Sequence, residues 1–347
     1  MKLAVLNPGG RDPRHEFPNG AGAPNDSILP PVGACGFAAC TSGGFYRKDQ
    51  EIPAELKHVL VLLGDNLKAF RQVFVELRSL GKTIAIAWRD PAPSYIAEQL
   101  AKPDKFKLFQ EICQRADGAI ATTPDLVGFF TAAGARHTEF IPTPWPIDDD
   151  RWNFGIPVEE RRGIYVGTFE FRAPLQNHLS ALLALRQLAA SMYERVTLLN
   201  TEGRRGREFV KLLGYDEQLL KVVDLPCPPH RNYLKMSYSA FHLSLLAKHK
   251  LVWQLDGTGS FGQIAGDALL ARVPCVGGVG TTERIVYPEL CAHGRETEQL
   301  FDLAARLLEH PHDCEAVMER AVTAARDKLS FTAVAQRLET FFKRIAR

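Results

Sequence analysis

Long hydrophobic runs are missing from this 347-residue sequence. No apolar segment approaches the roughly 18 residues that a membrane span needs, and the opening MKLAVLNPGG is too short an apolar run to form the core of a signal peptide. A cytoplasmic protein is expected. The seven cysteines (Cys35, Cys40, Cys113, Cys227, Cys275, Cys291, Cys314) are odd in number, scattered and never spaced as CxxC, so neither a disulfide framework nor a zinc knuckle is indicated. The ten histidines form no HxxxH pair or Asp/His cluster with ligand spacing, and no metal site is expected. An excess of charge of one sign is also lacking. Against 40 acidic residues stand 42 Lys and Arg, and the resulting +2 argues against a dedicated polyanion binder while leaving room for a local basic groove. There is no GxSxG elbow, no Cys/His signature and no GxGxxG after the first strand, which sets hydrolase and dehydrogenase readings aside.

What is present is alternation. Short apolar runs alternate with helical patterns along most of the chain, the mark of a parallel sheet covered by helices. Strands are predicted in KLAVLNP (2–8), HVLVLLGD (58–65), KTIAIAWRDP (82–91), DGAIATTP and HTEFIPTP, with helices in NLKAFRQVFVELRSLG, in one long stretch from about Ser94 to Arg115, and in DLVGFFTAAGA. The prolines and charges of 142–162 break the rhythm and read as an interdomain linker. The rhythm restarts with strand GIYVGTF (163–169), a helix to about Met192, strand VTLLN, helix GREFVKLLG, strand KVVDLP, a helix in HRNYLKMSYSA, a strand near FHLSLLA and strand PCVGG, before a closing helix, FTAVAQRLETFFKRIA. Two domains with a cleft between them are expected, over 1–150 and 151–330, with a last helix in 331–347 that returns to the first domain. Residues 9–57, rich in glycine and proline, show little periodicity and read as an ordered loop covering a site.

Ligands of open parallel sheets sit beyond the carboxyl ends of the strands, so chemistry is sought in strand-to-helix turns. The stretch TGSFGQIAGDALLARVPCV (258–276) supplies one. Its glycines allow a tight turn, the helix from about Gln263 offers unpaired amides and a positive dipole end to an anion, and Asp267 lies one turn further on, placed for ribose hydroxyls. The alternative is a plain glycine turn with a solvated Asp267.

These residues resemble the nucleotide-binding signature of glycosyltransferases with the GT-B fold, two Rossmann-like doubly wound α/β domains. The matching positions are Ser260, Phe261, Gly262, then Asp267, Ala268, Leu269 and Pro274, Cys275, Val276, with Gln263 opening the helix. The resemblance implies that Asp267 binds the donor ribose. It also places Gly259 where retaining families carry the first acidic residue of a paired-glutamate motif. The run GIYVGTFEFRAPLQNHLSAL (163–182) resembles the first strand and glycine turn of the C-terminal domain in that family, which implies donor contacts at Gly167, Thr168 and Arg172, and GGVGTTERIVYPEL resembles its loop and short helix beneath the sugar. Arg204 and Arg207, in TEGRRGREF, are further phosphate candidates or a solvated charged face.

The N-terminal half shows short similarities to phage DNA β-glucosyltransferases, inverting GT-B enzymes. MKLAVLNPGG resembles their first strand and glycine turn, implying donor contacts at Gly9 and Gly10, and KTIAIAWRDP puts Asp90 where the catalytic base lies. His15 and Asp26 are other polar candidates in the long loop, and Asp90 is alternatively a simple Asp-Pro turn residue. The expectation is a glycosyltransferase that uses a nucleotide-diphosphate sugar, a UDP-sugar, with no bound cofactor, inverting through Asp90. The acceptor is a hydroxymethylated DNA base held by Arg11, Arg14, Arg47, Lys48 and Arg89, or else a glycan, lipid-linked or small molecule; a non-catalytic nucleotide-sugar binder is the third reading.

Overall fold

A computed structural model describes the chain apart from residues 9, 11–13, 19, 21–30, 65–66, 170–176, 201, 217, 225–236 and 347. It divides into two compact units, residues 1–150 with 325–347, and residues 151–324.

In the first unit the elements run β1 (Leu3–Leu6), β2 (His15–Glu16), α1 (Ala34–Ala39), β3 (Gly44–Tyr46), β4 (His58–Leu63), α2 (Leu67–Ser79), β5 (Thr83–Trp88), α3 (Pro93–Leu100), α4 (Pro103–Arg115), β6 (Gly118–Ala121), α5 (Asp125–Ala132) and β7 (Thr138–Phe140). The sheet order is β2-β3-β1-β4-β5-β6-β7, parallel except for β2. Side chains alternate across a strand, and because both faces are covered the strands read as unbroken apolar runs. One face puts Leu6, Val59, Val61, Ile84, Ile86 and Trp88 against Phe70, Phe74, Phe109 and Phe130 of α2, α4 and α5. The other puts Leu3, Val5, Leu60 and Ile120 against Phe37 of α1 and the last helix of the chain, whose Val334, Leu338, Phe341, Phe342 and Ile345 are buried there.

Three local expectations differ from the structure. The helix expected from Ser94 to Arg115 is two, because Pro103 starts α4 and holds Lys102 in the extended region (φ −90°, ψ 128°). The segment 9–57 is not all loop: α1 and β3 form a βαβ crossover onto β1. A six-residue helix of small residues and a three-residue strand are too short to show a period. The linker 142–162 is packed, with Trp145 fully buried and donating its backbone N–H to Leu329, and Arg161 buried with its guanidinium donating to the Ile156 and Arg272 carbonyls.

Lys82, buried at the start of β5, donates from Nζ to the carbonyls of Pro53 (3.1 Å), Ala54 (3.0 Å) and Leu56 (2.8 Å). Lys82→Met removes all three bonds and leaves carbonyls without donors, so it is expected to destabilise the first unit by roughly 2–4 kcal/mol, read as a lowered unfolding midpoint.

The second unit continues β8 (Ile164–Phe169), α6 (His178–Met192), β9 (Val196–Asn200), α7 (Gly203–Leu212), β10 (Leu220–Asp224), α8 (Ser237–Leu246), β11 (Leu251–Gln254), α9 (Gln263–Leu270), β12 (Cys275–Gly277), α10 (Thr281–Val286) and α11 (Thr297–Glu309). Then come α12 (Pro311–Lys328), in which the unit boundary falls, and α13 (Phe331–Ile345) of the first unit. The strand expected near FHLSLLA is helix α8, and the strand is the following LVWQ. A short apolar run fits either state, and here packing decides. All strands are parallel, in the order β10-β9-β8-β11-β12.

Candidate functional site

In the second unit the strand order reverses between β8 and β11, a topological switch point, and ligands of such sheets bind beyond the carboxyl ends of the strands. The residues after β8 up to 176 lie outside the described ones. Asn177, just before α6, donates from Nδ2 to the Leu255 carbonyl at 2.9 Å.

The turn after β11 is built by local bonds. The Asp256 carboxylate accepts from the Thr258 N–H (2.7 Å), and Thr258 Oγ1 from the Ser260 N–H (3.4 Å). The Ser260 and Phe261 carbonyls accept the N–H groups of Thr281 (2.9 Å) and Thr282 (3.1 Å), so the first turn of α10 clamps the signature turn from behind. Gly262 then stands at the N-cap of α9 in the left-handed region (φ 84°), and no side chain caps the helix. The leading N–H groups of α9, from Gln263 onward, carry the partial positive charge of a helix start and form a place for an anion.

Asp267 is not a solvated helix residue. It is buried, Oδ1 accepts from Gln263 Nε2 at 2.9 Å, and Oδ2 lies 3.3 Å from Nε2 of His242 on α8. His242 Nδ1 lies 2.7 Å from the Tyr165 hydroxyl on β8. The His242 ring thus bridges the Tyr165 hydroxyl and the Asp267 carboxylate, with Nε2 donating to Asp267. Each carboxylate oxygen has a second acceptor direction, so Asp267 is fixed in place with capacity left for a ligand hydroxyl. The sequence pointed to Gln263 and Asp267 but not to His242 and Tyr165, because contacts across 25 positions (His242–Asp267) and 77 positions (Tyr165–His242) leave no spacing signal.

Gly259 has φ 63°, a conformation that a glutamate would adopt only with strain. The turn geometry itself therefore disfavours a glutamate at that position. Gly167 forms a bulge in β8 (φ 95°) and faces Ile264 in the first turn of α9. Thr168 pairs with Leu199 through its backbone strand, while Arg172 lies outside the described residues. Arg204 and Arg207 are ion-paired, Arg204 Nε with Glu208 at 2.7 Å and Arg207 with Asp224 at the end of β10.

A further residue surfaces only in three dimensions. Glu283, in the first turn of α10, is fully enclosed behind the signature turn, and its Oε1 accepts from Gln254 Nε2 at 2.9 Å. Burial pushes its carboxyl up to about 7, with the nearby Asp256 carboxylate adding to the rise.

In the first unit the reversal falls between β1 and β4, and a cavity of about 140 Å³ lies there. Asn7 and Gly10 line it from the turn after β1, Gly64 from just past β4, Arg89 and Asp90 from just past β5, and Gln99 from α3. Gly10 donates to the Asn7 carbonyl (3.1 Å), and a Cβ there would fall 2.2 Å from Asn7 Nδ2, so the turn has no room for a side chain. Gly9, Arg11 and Asp26 lie outside the described residues. Of the other N-terminal candidates, Arg14 is engaged with Glu16 and lies over the Tyr46 ring, and His15 packs on Phe17 with burial holding its pKa below the usual imidazole value. Among the described residues no helix is long and apolar enough to cross a membrane.

No protein-family profile matches the sequence, and no curated protein matches it by sequence. Solved structures do match by fold. An α,α-trehalose-6-phosphate synthase from Burkholderia multivorans superposes with a TM-score of 0.61 at 10% identity, over 99% of this chain and 97% of that one. Trehalose-6-phosphate synthase from E. coli, bound with UDP-2-fluoro glucose, gives 0.60 at 12% identity over 83% and 73%, and another structure of such a synthase concerns glycosyltransfer with retention. S. aureus TarM, in complex with fondaparinux, α-GlcNAc-glycerol and UDP, gives 0.58 at 11% identity over 82% and 55%. At these identities the likeness establishes the fold, which is GT-B, a mixed α/β architecture with parallel sheets.

Proposed function

We propose that this GT-B chain is a glycosyltransferase that takes a sugar from a nucleotide-diphosphate donor, a UDP-sugar, and moves it to a hydroxyl acceptor. The observation that carries the reading is the switch point of the second unit, where an uncapped helix start and a carboxylate fixed by Gln263 and His242 stand within one helical turn. The α9 amides take the diphosphate, whose charge grows as the sugar leaves, and Asp267 accepts from the ribose hydroxyls. UDP in the neighbouring structures agrees with that donor class.

In the first unit, Asp90 in the switch-point cavity is the base. It takes the proton of the acceptor hydroxyl as that oxygen bonds to the anomeric carbon, while the bond from that carbon to the diphosphate oxygen breaks with inversion. The polar rim of Asn7, Arg89 and Gln99 suits a glycan or other small hydroxylated acceptor. For a hydroxymethylated DNA base, the basic set expected to meet a phosphate backbone includes Arg14, which is engaged with Glu16.

Asp267→Ala is expected to weaken UDP binding by calorimetry about ten- to a hundredfold, corresponding to roughly 1.4–3 kcal/mol, without unfolding the second unit. Unchanged affinity would remove Asp267 from the site. A thermal-shift donor screen followed by mass spectrometry with sugar, glycan and hydroxymethylated DNA acceptors then identifies the product. A mass increase on the DNA, together with salt-dependent binding, would move the acceptor reading to DNA.

A further inference from the structure

Glu283 is 1% exposed, and while Oε1 accepts from Gln254, Oε2 is buried with no hydrogen-bond partner among the described residues. Backbone encloses this oxygen. A Cβ built on Gly262 would fall 2.1 Å from Oε2, one on Gly280 2.5 Å from it, and one on Gly278 2.8 Å from Oε1. The carboxyl thus sits in a box whose walls are the signature turn and the turn between β12 and α10. Those same turns are tied by the Thr281 and Thr282 amides and by the Thr282 hydroxyl, which donates to the Phe261 carbonyl at 2.6 Å.

We propose that Glu283 is a positioning residue that, as the neutral acid, lets the signature turn close on α10 and so sets the amides of α9 for the nucleotide. The inference rests on the donor reading above only for the identity of what α9 binds. An ionised carboxylate in the box would have one oxygen with no donor, and the box relieves that by opening, which pulls Ser260 and Phe261 away from α10. Several titratable groups face the carboxyl: Asp256 from the signature turn, Cys275 from β12, and Arg284 and Tyr287 on the α10 side. Asp267 is the titratable residue of α9. Burial dominates and holds the carboxyl pKa near 7, against the Glu283 backbone N–H, Gln254 and Arg284, which favour the charge, and with Asp256, which disfavours it. A group raised in the folded state from its ordinary 4.5 stabilises that state fully below pH 4.5, and the effect is lost as pH rises through about 7.

The test uses the whole chain with Glu283→Gln, a neutral side chain of the same shape, and Glu283→Ala. Hydrogen exchange of peptides covering 256–270, corrected for intrinsic rates, is compared at pH 5.5 and 8.5, alongside UDP affinity. Protection of the turn should fall about tenfold more in the wild type than in Glu283→Gln between these values, and UDP affinity should weaken about tenfold in the wild type alone. Glu283→Ala should lose protection at both. Equal pH dependence of exchange in the wild type and Glu283→Gln overturns the proposal even where UDP binds. An exchange difference without any UDP binding upholds the role of Glu283 in the turn and overturns the donor reading instead.

Discussion

Asp90→Asn is expected to lower sugar transfer about a thousandfold while leaving UDP affinity and the unfolding midpoint unchanged. Asparagine keeps the shape of the carboxylate and its acceptor oxygen, so the cavity at the first switch point stays intact. What it cannot do is take the proton of the acceptor hydroxyl, and removing a positioned general base typically costs two to four orders of magnitude. Donor binding is assigned to the second unit, which makes the retained UDP affinity the internal control. The anomeric configuration of the product, read by NMR coupling constants, checks the same assignment independently. Inversion agrees with Asp90 as base, and retention, the outcome addressed for the trehalose-6-phosphate synthases, would remove it from that role. A binding protein without catalysis would show UDP affinity and no transfer in the wild type.

Gly262→Ala is the second large effect, expected to destabilise the second unit by about 3 kcal/mol or more and to weaken UDP binding at least a hundredfold. Two costs add. At φ 84° an L-residue is strained by roughly 1–2 kcal/mol, and the new Cβ would fall 2.1 Å from Glu283 Oε2 and 3.0 Å from Thr282 Cβ. Glu283 is boxed on its other sides, so it cannot swing aside, and α10 must move away from the turn it clamps. Thermal unfolding and calorimetry report the two losses. Gly259→Ala meets backbone strain at φ 63°, which should cost about 1–2 kcal/mol. In the double substitution Gly262→Ala with Glu283→Ala the steric part is relieved, so the pair should be less than additive; strict additivity would show that the clash is not the cause.

Legibility followed the range of the interactions. β4, β5, α2 and α13 could be read directly, since a strand buried on two faces and a helix with an apolar stripe each carry a period of their own. α1 and β3 could not, being too short for any period to repeat. In the site, the glycines of 257–262, the helix start at Gln263 and Asp267 were legible because they lie within a dozen residues and obey local rules of turns and helix ends. Arg204 and Arg207 show the converse, since nothing in GRRGRE says that Asp224 waits for one of them at the end of β10.

By itself the sequence determined a two-part βα chain with a parallel-sheet architecture, the signature turn, and Asp90 at a strand end, because periodicity and turn chemistry are properties of neighbouring residues. Only the tertiary structure decided the strand orders, and with them the switch points that put β8 and β11 side by side and gathered Asn7, Arg89 and Asp90 around one cavity. It also decided that Asp267 is held by His242, and that Glu283 is sealed among glycines with an oxygen left over. Those facts depend on which distant segments pack together and on how much water they exclude, and burial of that kind is written in no single stretch of chain.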